Sequence, residues 1–236
     1  TVAAWAAEHE RPLHAHVSEQ PAENEQCHAA HGMSPIALLH SCGALSPLFS
    51  AVHATHVDET DIGLLAATRS SVCMCPTTER DLADGIAPTD RFRHDGVAIT
   101  LGSDSHAVID LFEEARAVEL DERLATGVRG NHRVRELMRA ATSDGHRSLG
   151  WPAAGRIDVG APADLVTVTL RSVRTAGTEA RHALAAVAFA AGAADVTDVF
   201  VAGEHVVAGG RHRSIDAEAE LADSIAAVWA GVERRA

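Results

Sequence analysis

Four short apolar runs in the N-terminal part of the chain each carry a polar or ionisable residue at or just past their end, and that recurrence narrows the possible folds sharply. Residues 12–17 (PLHAHV), 51–56 (AVHATH), 71–75 (SVCMC) and 97–101 (VAITL) have the length and alternation of β-strands. His16 and Glu19 follow the first, His53 lies in the second, Thr77 and Thr78 follow the third, and Asp104 follows the fourth. The segments between them read as helices. Residues 18–32 have Pro21 in a first turn, Glu23 and Glu25 near the positive end, and Gly32 as a stop. Residues 35–41 form a second short helix, and Ile62, Leu65 and Ala66 give 59–69 helical spacing. Residues 109–124 predict a long amphipathic helix and 134–142 another. Strand and helix in alternation predict parallel β/α units. A (β/α)₈ barrel and a doubly wound sheet both gather their sites at strand C-termini. Periodicity does not separate the two.

The pattern changes near residue 150. Residues 155–170 hold two short β runs around a Gly-Ala-Pro turn, and 181–191 form an alanine-rich helix. Residues 196–208 predict a hairpin about Gly203 and Glu204. Residues 215–235 predict a terminal helix with Leu221, Ile225, Val228 and Val232 at helical spacing. The expected division is therefore 1–150 for the β/α part, 151–212 for a small β-rich part with an inserted helix, and 213–236 for the C-terminal helix.

Composition excludes several classes. The 236 residues carry a formal net charge of -13, and all 20 basic residues are arginine. Such a chain repels phosphate backbones and anionic lipid surfaces, so neither nucleic acid nor membrane is an expected partner. There is no apolar run of membrane-spanning length and no signal-peptide pattern, and the expected location is cytoplasmic. Cys27, Cys42, Cys73 and Cys75 show neither a disulfide framework nor CxxC ligand spacing. Cys73 and Cys75, two apart on one strand, point the same way and read as small buried thiols of a reducing compartment. No glycine-rich phosphate loop follows a strand, which argues against a dinucleotide-binding protein.

Histidine is abundant, with 15 residues, so position must decide which carry chemistry. His14 and His16 share a strand face, and Glu19 can turn back toward the same mouth. Alone, this is a packed histidine beside a helix-capping acid, and Asp104 alone is a helix cap. Together, His16, Glu19, His53 and Asp104 on successive strand ends describe one convergent ionisable site. Such a mixed nitrogen and oxygen set suits Zn²⁺ or Fe²⁺.

HVSEQ (16–20), HATHVDE (53–59), CPTTERDLADG (75–85) and LGSDSH (101–106), in this order, resemble the deaminase branch of the amidohydrolase superfamily. The first and third are most similar to the formimidoylglutamate deiminases. Downstream, GRIDVG (155–160), ADLV (163–166), VAGE (201–204) and GRH (210–212) resemble the superfamily's return to its β-sandwich. The resemblance implies the C-terminal half of a (β/α)₈ TIM-type barrel, strands five to eight, with part of a small β-sandwich and a C-terminal helix. It implies that His16 and Asp104 bind one divalent metal, most readily Zn²⁺ with Fe²⁺ as the alternative. It implies that Glu19 shuttles a proton to the substrate nitrogen, that His53, ahead of His56, contacts the water or substrate, and that Asp104 takes a proton from the water.

The reaction so implied is hydrolysis of N-formimino-L-glutamate to N-formyl-L-glutamate and ammonia, a step of histidine degradation. The substrate is a dianion, so cationic residues are needed, and Arg80, Arg91 and Arg93 are available. Thr77, Thr78 and Arg80 either shape the pocket or serve ordinary turn chemistry after Pro76. A homodimer is implied for the full-length protein. Two departures stand out. Glu79-Arg80-Asp81 replaces the family's Glu-Ala-Asn, and the HxH metal pair that follows the family's first strand has no counterpart here. The expectation is a chain inactive on its own. The alternatives are a purine, pyrimidine or guanidine-type aminohydrolase of the same superfamily, or a non-catalytic remnant.

Overall fold

The computed structural model describes residues 1–105 and 108–233. His106, which closes the LGSDSH motif, and residues 234–236 lie outside the described residues. After helix α1 (Val2–Glu8), strand β1 (Leu13–Val17) leads into α2 (Pro21–His31) and α3 (Pro35–Ser41). Strand β2 (Phe49–His53) is followed by α4 (Glu59–Thr68), and β3 (Ser71–Met74) by α5 (Pro76–Asp81) and α6 (Thr89–His94). Strand β4 (Ala98–Leu101) leads to α7 (Leu111–Thr126), α8 (Val134–Ala140) and α9 (Ser143–Ser148). The four strands are parallel and lie in chain order β1-β2-β3-β4.

The two faces of this sheet differ. Leu13, Ala15, Val17, Phe49, Ala51, Val72, Met74, Ile99 and Leu101 join one apolar core with Ile36, Ile62, Leu65, Phe92, Val118 and Leu137 of the helices. The register places His14, Ser50, Ser71 and Ala98 abreast on the opposite face, and likewise His16, Val52, Cys73 and Thr100. Small and polar residues therefore line the face away from the helical core. A doubly wound sheet would bury apolar side chains on both faces.

Local sequence explains most boundaries. Pro21 and Pro35 occupy first turns, Gly32 closes α2 with φ +70°, and Asp58 and Asp61 form a capping box on α4. The second strand starts two residues earlier than expected and stops at His53, because His53 and Ala54 both turn to positive φ. The α5 segment, read from sequence as a turn after Pro76, is helical, with the proline at its first position.

Helix α7 buries three glutamates, Glu114, Glu119 and Glu122, on the face expected to be apolar. Each receives donors from a neighbouring segment. Glu114 takes the N–H and hydroxyl of Thr77, and Glu122 takes the hydroxyl of Thr89 and the N–H of Asp90. Glu119 accepts from Gly130 N–H at 2.8 Å, His132 N–H at 2.7 Å and Arg123 Nε at 2.6 Å. Burial pushes the Glu119 pKa up, but these three donors outweigh it and hold the carboxyl below its ordinary value. Glu119→Gln is expected to destabilise the chain by about 2–4 kcal/mol at neutral pH. The stabilisation is complete above the unfolded carboxyl's pKa of about 4.3 and is lost as pH falls through the lower folded value. Urea unfolding at pH 7 and below pH 4 checks this: the gap between wild type and variant narrows in acid, and an equal gap at both pH values contradicts it.

The remainder forms a second sheet, an antiparallel meander of β5 (Leu165–Val168), β6 (Val196–Val201), β7 (Glu204–Ala208) and β8 (Arg211–His212). Helix α10 (Ala183–Ala190) and α11 (Ala217–Glu233) complete the chain. The β6–β7 turn is Ala202-Gly203, one residue before the expected position, with φ +50° and +84°, the left-handed pair that a tight hairpin requires. Only one of the two β runs expected in 155–170 forms. Ile157 and Val159 are 91% and 102% exposed, and no strand of the second sheet pairs with them. Asp110 ties the two parts together. One oxygen caps α7 at Phe112 and Glu113, and the other accepts from Ala193 N–H. No helix among the described residues is long and apolar enough to cross a membrane.

Candidate active site

Parallel strands in sequential order set their C-terminal ends side by side. The register pairs His16 with Val52 and Val17 with His53, so the ends of β1 and β2 meet directly. Ser18, His53, Ala54 and Asp104 all have positive φ, between +48° and +68°. A left-handed non-glycine residue is uncommon and costs about 1 kcal/mol or more. Four of them gathered at three strand ends turn the chain abruptly and aim its side chains across the sheet mouth.

His53 is the centre of the arrangement. It is fully buried, and its ring lies against that of His16, with centroids 5.4 Å apart and planes inclined by 29°. Its Nε2 lies 3.6 Å from Glu19 Oε1 and 3.7 Å from Asp104 Oδ2, too far for a hydrogen bond to either. That nitrogen is buried without a hydrogen-bond partner. Its Nδ1 faces Glu79 Oε1 at 3.3 Å, and the same oxygen accepts the Cys75 N–H at 2.9 Å. A carboxylate can only accept, so Nδ1 carries the hydrogen and Nε2 presents its lone pair to the mouth. Burial lowers the proton affinity of His53, but the hydrogen bond to Glu79 and the charges of Glu19, Glu79 and Asp104 outweigh it and raise the pKa above the ordinary imidazole value. Three carboxylates thus converge on one imidazole, a field that attracts positive charge.

One donor atom each from His16, His53 and Asp104 lie within 4.8 Å of one another. Two imidazole nitrogens and a carboxylate oxygen at that spacing, one nitrogen orphaned and buried, fit a divalent cation of borderline hardness. Glu19 stands beside this set. Burial raises its pKa above the ordinary carboxylate value, with the charges of Asp84 and Asp104 adding to the rise and those of His53 and His16 opposing it. Its backbone is held by Glu23, whose two carboxylate oxygens accept the N–H groups of Ser18 and Glu19 at 2.9 and 3.0 Å.

The structure therefore brings His16, Glu19, His53 and Asp104 together. It places other candidates elsewhere. His14 Nε2 meets the Ser148 carbonyl at the end of α9, and His56 Nε2 meets the Asp84 carbonyl at 2.7 Å in the loop after α5, so neither is held at the mouth. Thr77 is bound to Glu114, and the Thr78 hydroxyl donates to the Ser103 carbonyl. Arg80, Arg91 and Arg93 pair with Glu113, Glu59 and Asp90 respectively. Thr77, Arg80, Asp81 and Glu113 do line an open depression of about 340 Å³, but none of them is among the polar partners of His53, which are Glu19, Glu79 and Asp104. The sequence pointed to no role for Glu79 or Asp84, and to Glu23 only as an acid at a helix N-terminus. Glu79 stood inside a recognised motif, yet only the folded α5 turns it under His53.

The model of the amidohydrolase family matches residues 1–206. Formimidoylglutamate deiminase of Pseudomonas aeruginosa is 35% identical over 210 residues, which are 85% of this chain and 46% of that protein. A 5-methylthioadenosine/S-adenosylhomocysteine deaminase of Pelotomaculum thermopropionicum is 33% identical over 216 residues, 90% of this chain and 49% of its own. The crystal structure of an adenosine deaminase from Xanthomonas campestris with bound zinc superimposes with a TM-score of 0.89 at 30% identity, over 99% of this chain and 53% of that one. Atrazine chlorohydrolase from Arthrobacter aurescens, complexed with zinc, shares the fold with a TM-score of 0.83 at 24% identity, over 95% of this chain and 50% of that one. The chain spans about half the length of the curated relatives it matches.

Proposed function

The chain belongs to the amidohydrolase family, and from that premise we propose that the complete protein is a metal-dependent deaminase that hydrolyses N-formimino-L-glutamate to N-formyl-L-glutamate and ammonia. The observation that carries the chemistry is the convergence of His16, Glu19 and Asp104 on the orphaned Nε2 of His53. The 35% identity to a formimidoylglutamate deiminase supports the substrate. On this reading residues 1–150 are half of a (β/α)₈ barrel, 151–212 part of a β-sandwich, and 213–236 a closing helix.

His16 and Asp104 would hold the metal, as the resemblance implies, and the clustering of the His53 donor atom with theirs adds His53, expected only at the water or substrate, as a third candidate ligand; zinc is the first choice because related structures carry it. A bound divalent cation supplies Lewis acidity and acidifies the attacking water. Asp104 accepts a proton from that water as oxygen attacks the formimino carbon. His53, its Nδ1–H fixed by Glu79, keeps Nε2 directed at the mouth. Glu19, whose proton affinity is raised, delivers a proton to the departing nitrogen. Water adds, the C–N bond breaks, and ammonia leaves with the formyl product behind. Further metal donors and the residues gripping the substrate's carboxylates are assigned to the length that the relatives have beyond the matched segment.

The test is ammonia release by the complete protein with zinc supplied, from N-formimino-L-glutamate, 5′-methylthioadenosine and S-adenosylhomocysteine side by side. Turnover of the first alone is the expected outcome. Turnover of the thioadenosine compounds instead would move the assignment to the second reading, which the 33% identity to a deaminase of that class favours.

A further inference from the structure

The proposed chemistry uses neither thiol of β3, yet the fold places them together. Cys73 on β3 and Cys75 at its end are two residues apart and lie on the sheet face away from the helical core. Both sulfurs close on a single point of the neighbouring strand end. A Cβ built on Gly102 would stand 3.1 Å from Cys75 Sγ and 3.3 Å from Cys73 Sγ. The absent side chain at Gly102 leaves the space in which the two sulfurs meet. Both cysteines are free; Cys75 is buried and Cys73 is half-buried, so the pair is approached from the Cys73 side. Cys27 is half-buried on α2 and Cys42 is exposed at the end of α3.

We propose that Cys73 and Cys75 form a chelating dithiol site for soft thiophilic ligands, of which trivalent arsenic is the model. Two thiols on one strand face, both within 3.3 Å of one point, are placed to close a chelate ring. Soft sulfur donors select soft acceptors. With arsenite the step balances as two thiols and As(OH)₃ giving a bridged (RS)₂AsOH and two waters. Two S–H and two As–O bonds break, two As–S bonds and the two O–H bonds of the released waters form, and arsenic remains trivalent. The site also adjoins the candidate active site, because the Cys75 N–H donates to the Glu79 oxygen that faces His53.

Native mass spectrometry of this chain with inorganic arsenite tests the site. One bridged arsenic per chain is expected, removed by 2,3-dimercaptopropanol but not by 2-mercaptoethanol at equal thiol concentration. The adduct persists in the double variant Cys27→Ser/Cys42→Ser and is lost in Cys73→Ser and in Cys75→Ser. A second measurement needs no variant: arsenite abolishes iodoacetamide labelling of Cys73 in the wild type and leaves Cys42 labelled. Absence of an adduct on the wild type, its retention in Cys73→Ser, or unaltered labelling of Cys73 would each overturn the proposal.

Discussion

In the complete protein, Glu19→Gln is expected to lower ammonia release by about 10²–10⁴-fold, the usual contribution of a positioned proton carrier, while leaving the metal content unchanged. Glutamine keeps the size and hydrogen-bonding of the side chain but cannot carry the proton. Glu19 Oε1 stands 3.6 Å from His53 Nε2, near the reacting centre, and is not among the three residues whose donor atoms cluster for a metal. Its backbone is anchored independently by Glu23, so the substitution leaves the local geometry in place. Steady-state turnover together with elemental analysis of the purified variant measures both halves of the claim. A loss below tenfold would remove Glu19 from proton transfer. A loss accompanied by missing metal would make it a ligand instead. Asp104→Asn is the contrasting variant, and it is expected to lose both turnover and metal.

Glu79→Ala is expected to weaken metal affinity by about 10–100-fold, although Glu79 is not itself placed on the ion. The carboxylate is buried, and one oxygen serves both the His53 Nδ1–H and the Cys75 N–H. Its removal leaves two donors without a partner and frees the imidazole to rotate or to carry its hydrogen on Nε2, where the lone pair is needed. Glu79→Gln retains an acceptor oxygen, so its loss is expected to be intermediate. Competition with a chromophoric chelator, run beside a thermal melt, separates lost positioning from lost folding. Unchanged affinity in a stably folded Glu79→Ala protein would show that Glu79 supports the fold alone. The exposed neighbour Glu113, paired with Arg80 on the surface, is the control, and Glu113→Gln is expected to change neither property.

The parallel order of the strands and the polar residues at their ends were readable because both follow from short-range regularities. Apolar runs of strand length bounded by helical spacing define β/α units, and an ionisable residue straight after such a run lands at a strand mouth. His16, Glu19, His53 and Asp104 were all singled out that way as candidates, and the motif resemblance supplied their expected roles. The choice of His53 over His56 rested on resemblance; in the fold, His56 Nε2 is engaged by the Asp84 carbonyl. The arginines were not resolvable from sequence, since spacing says nothing about which surface carboxylate each will meet.

What the amino-acid order determined by itself was the succession of elements, the family resemblance and the short list of site residues. These depend on periodicity, capping and chain neighbours. The tertiary structure alone decided three things. It turned Glu79 under His53 and so set which ring nitrogen faces the mouth. It buried Glu114, Glu119 and Glu122 on the core face of an amphipathic helix, because backbone donors from α5, α6 and the segment after α7 satisfy them there. It also brought Cys73 and Cys75 onto one point at Gly102. Each of these is a contact between segments far apart in the chain or a side-chain direction fixed by an unusual φ, and a burial penalty is cancelled only once the partner from another element has arrived.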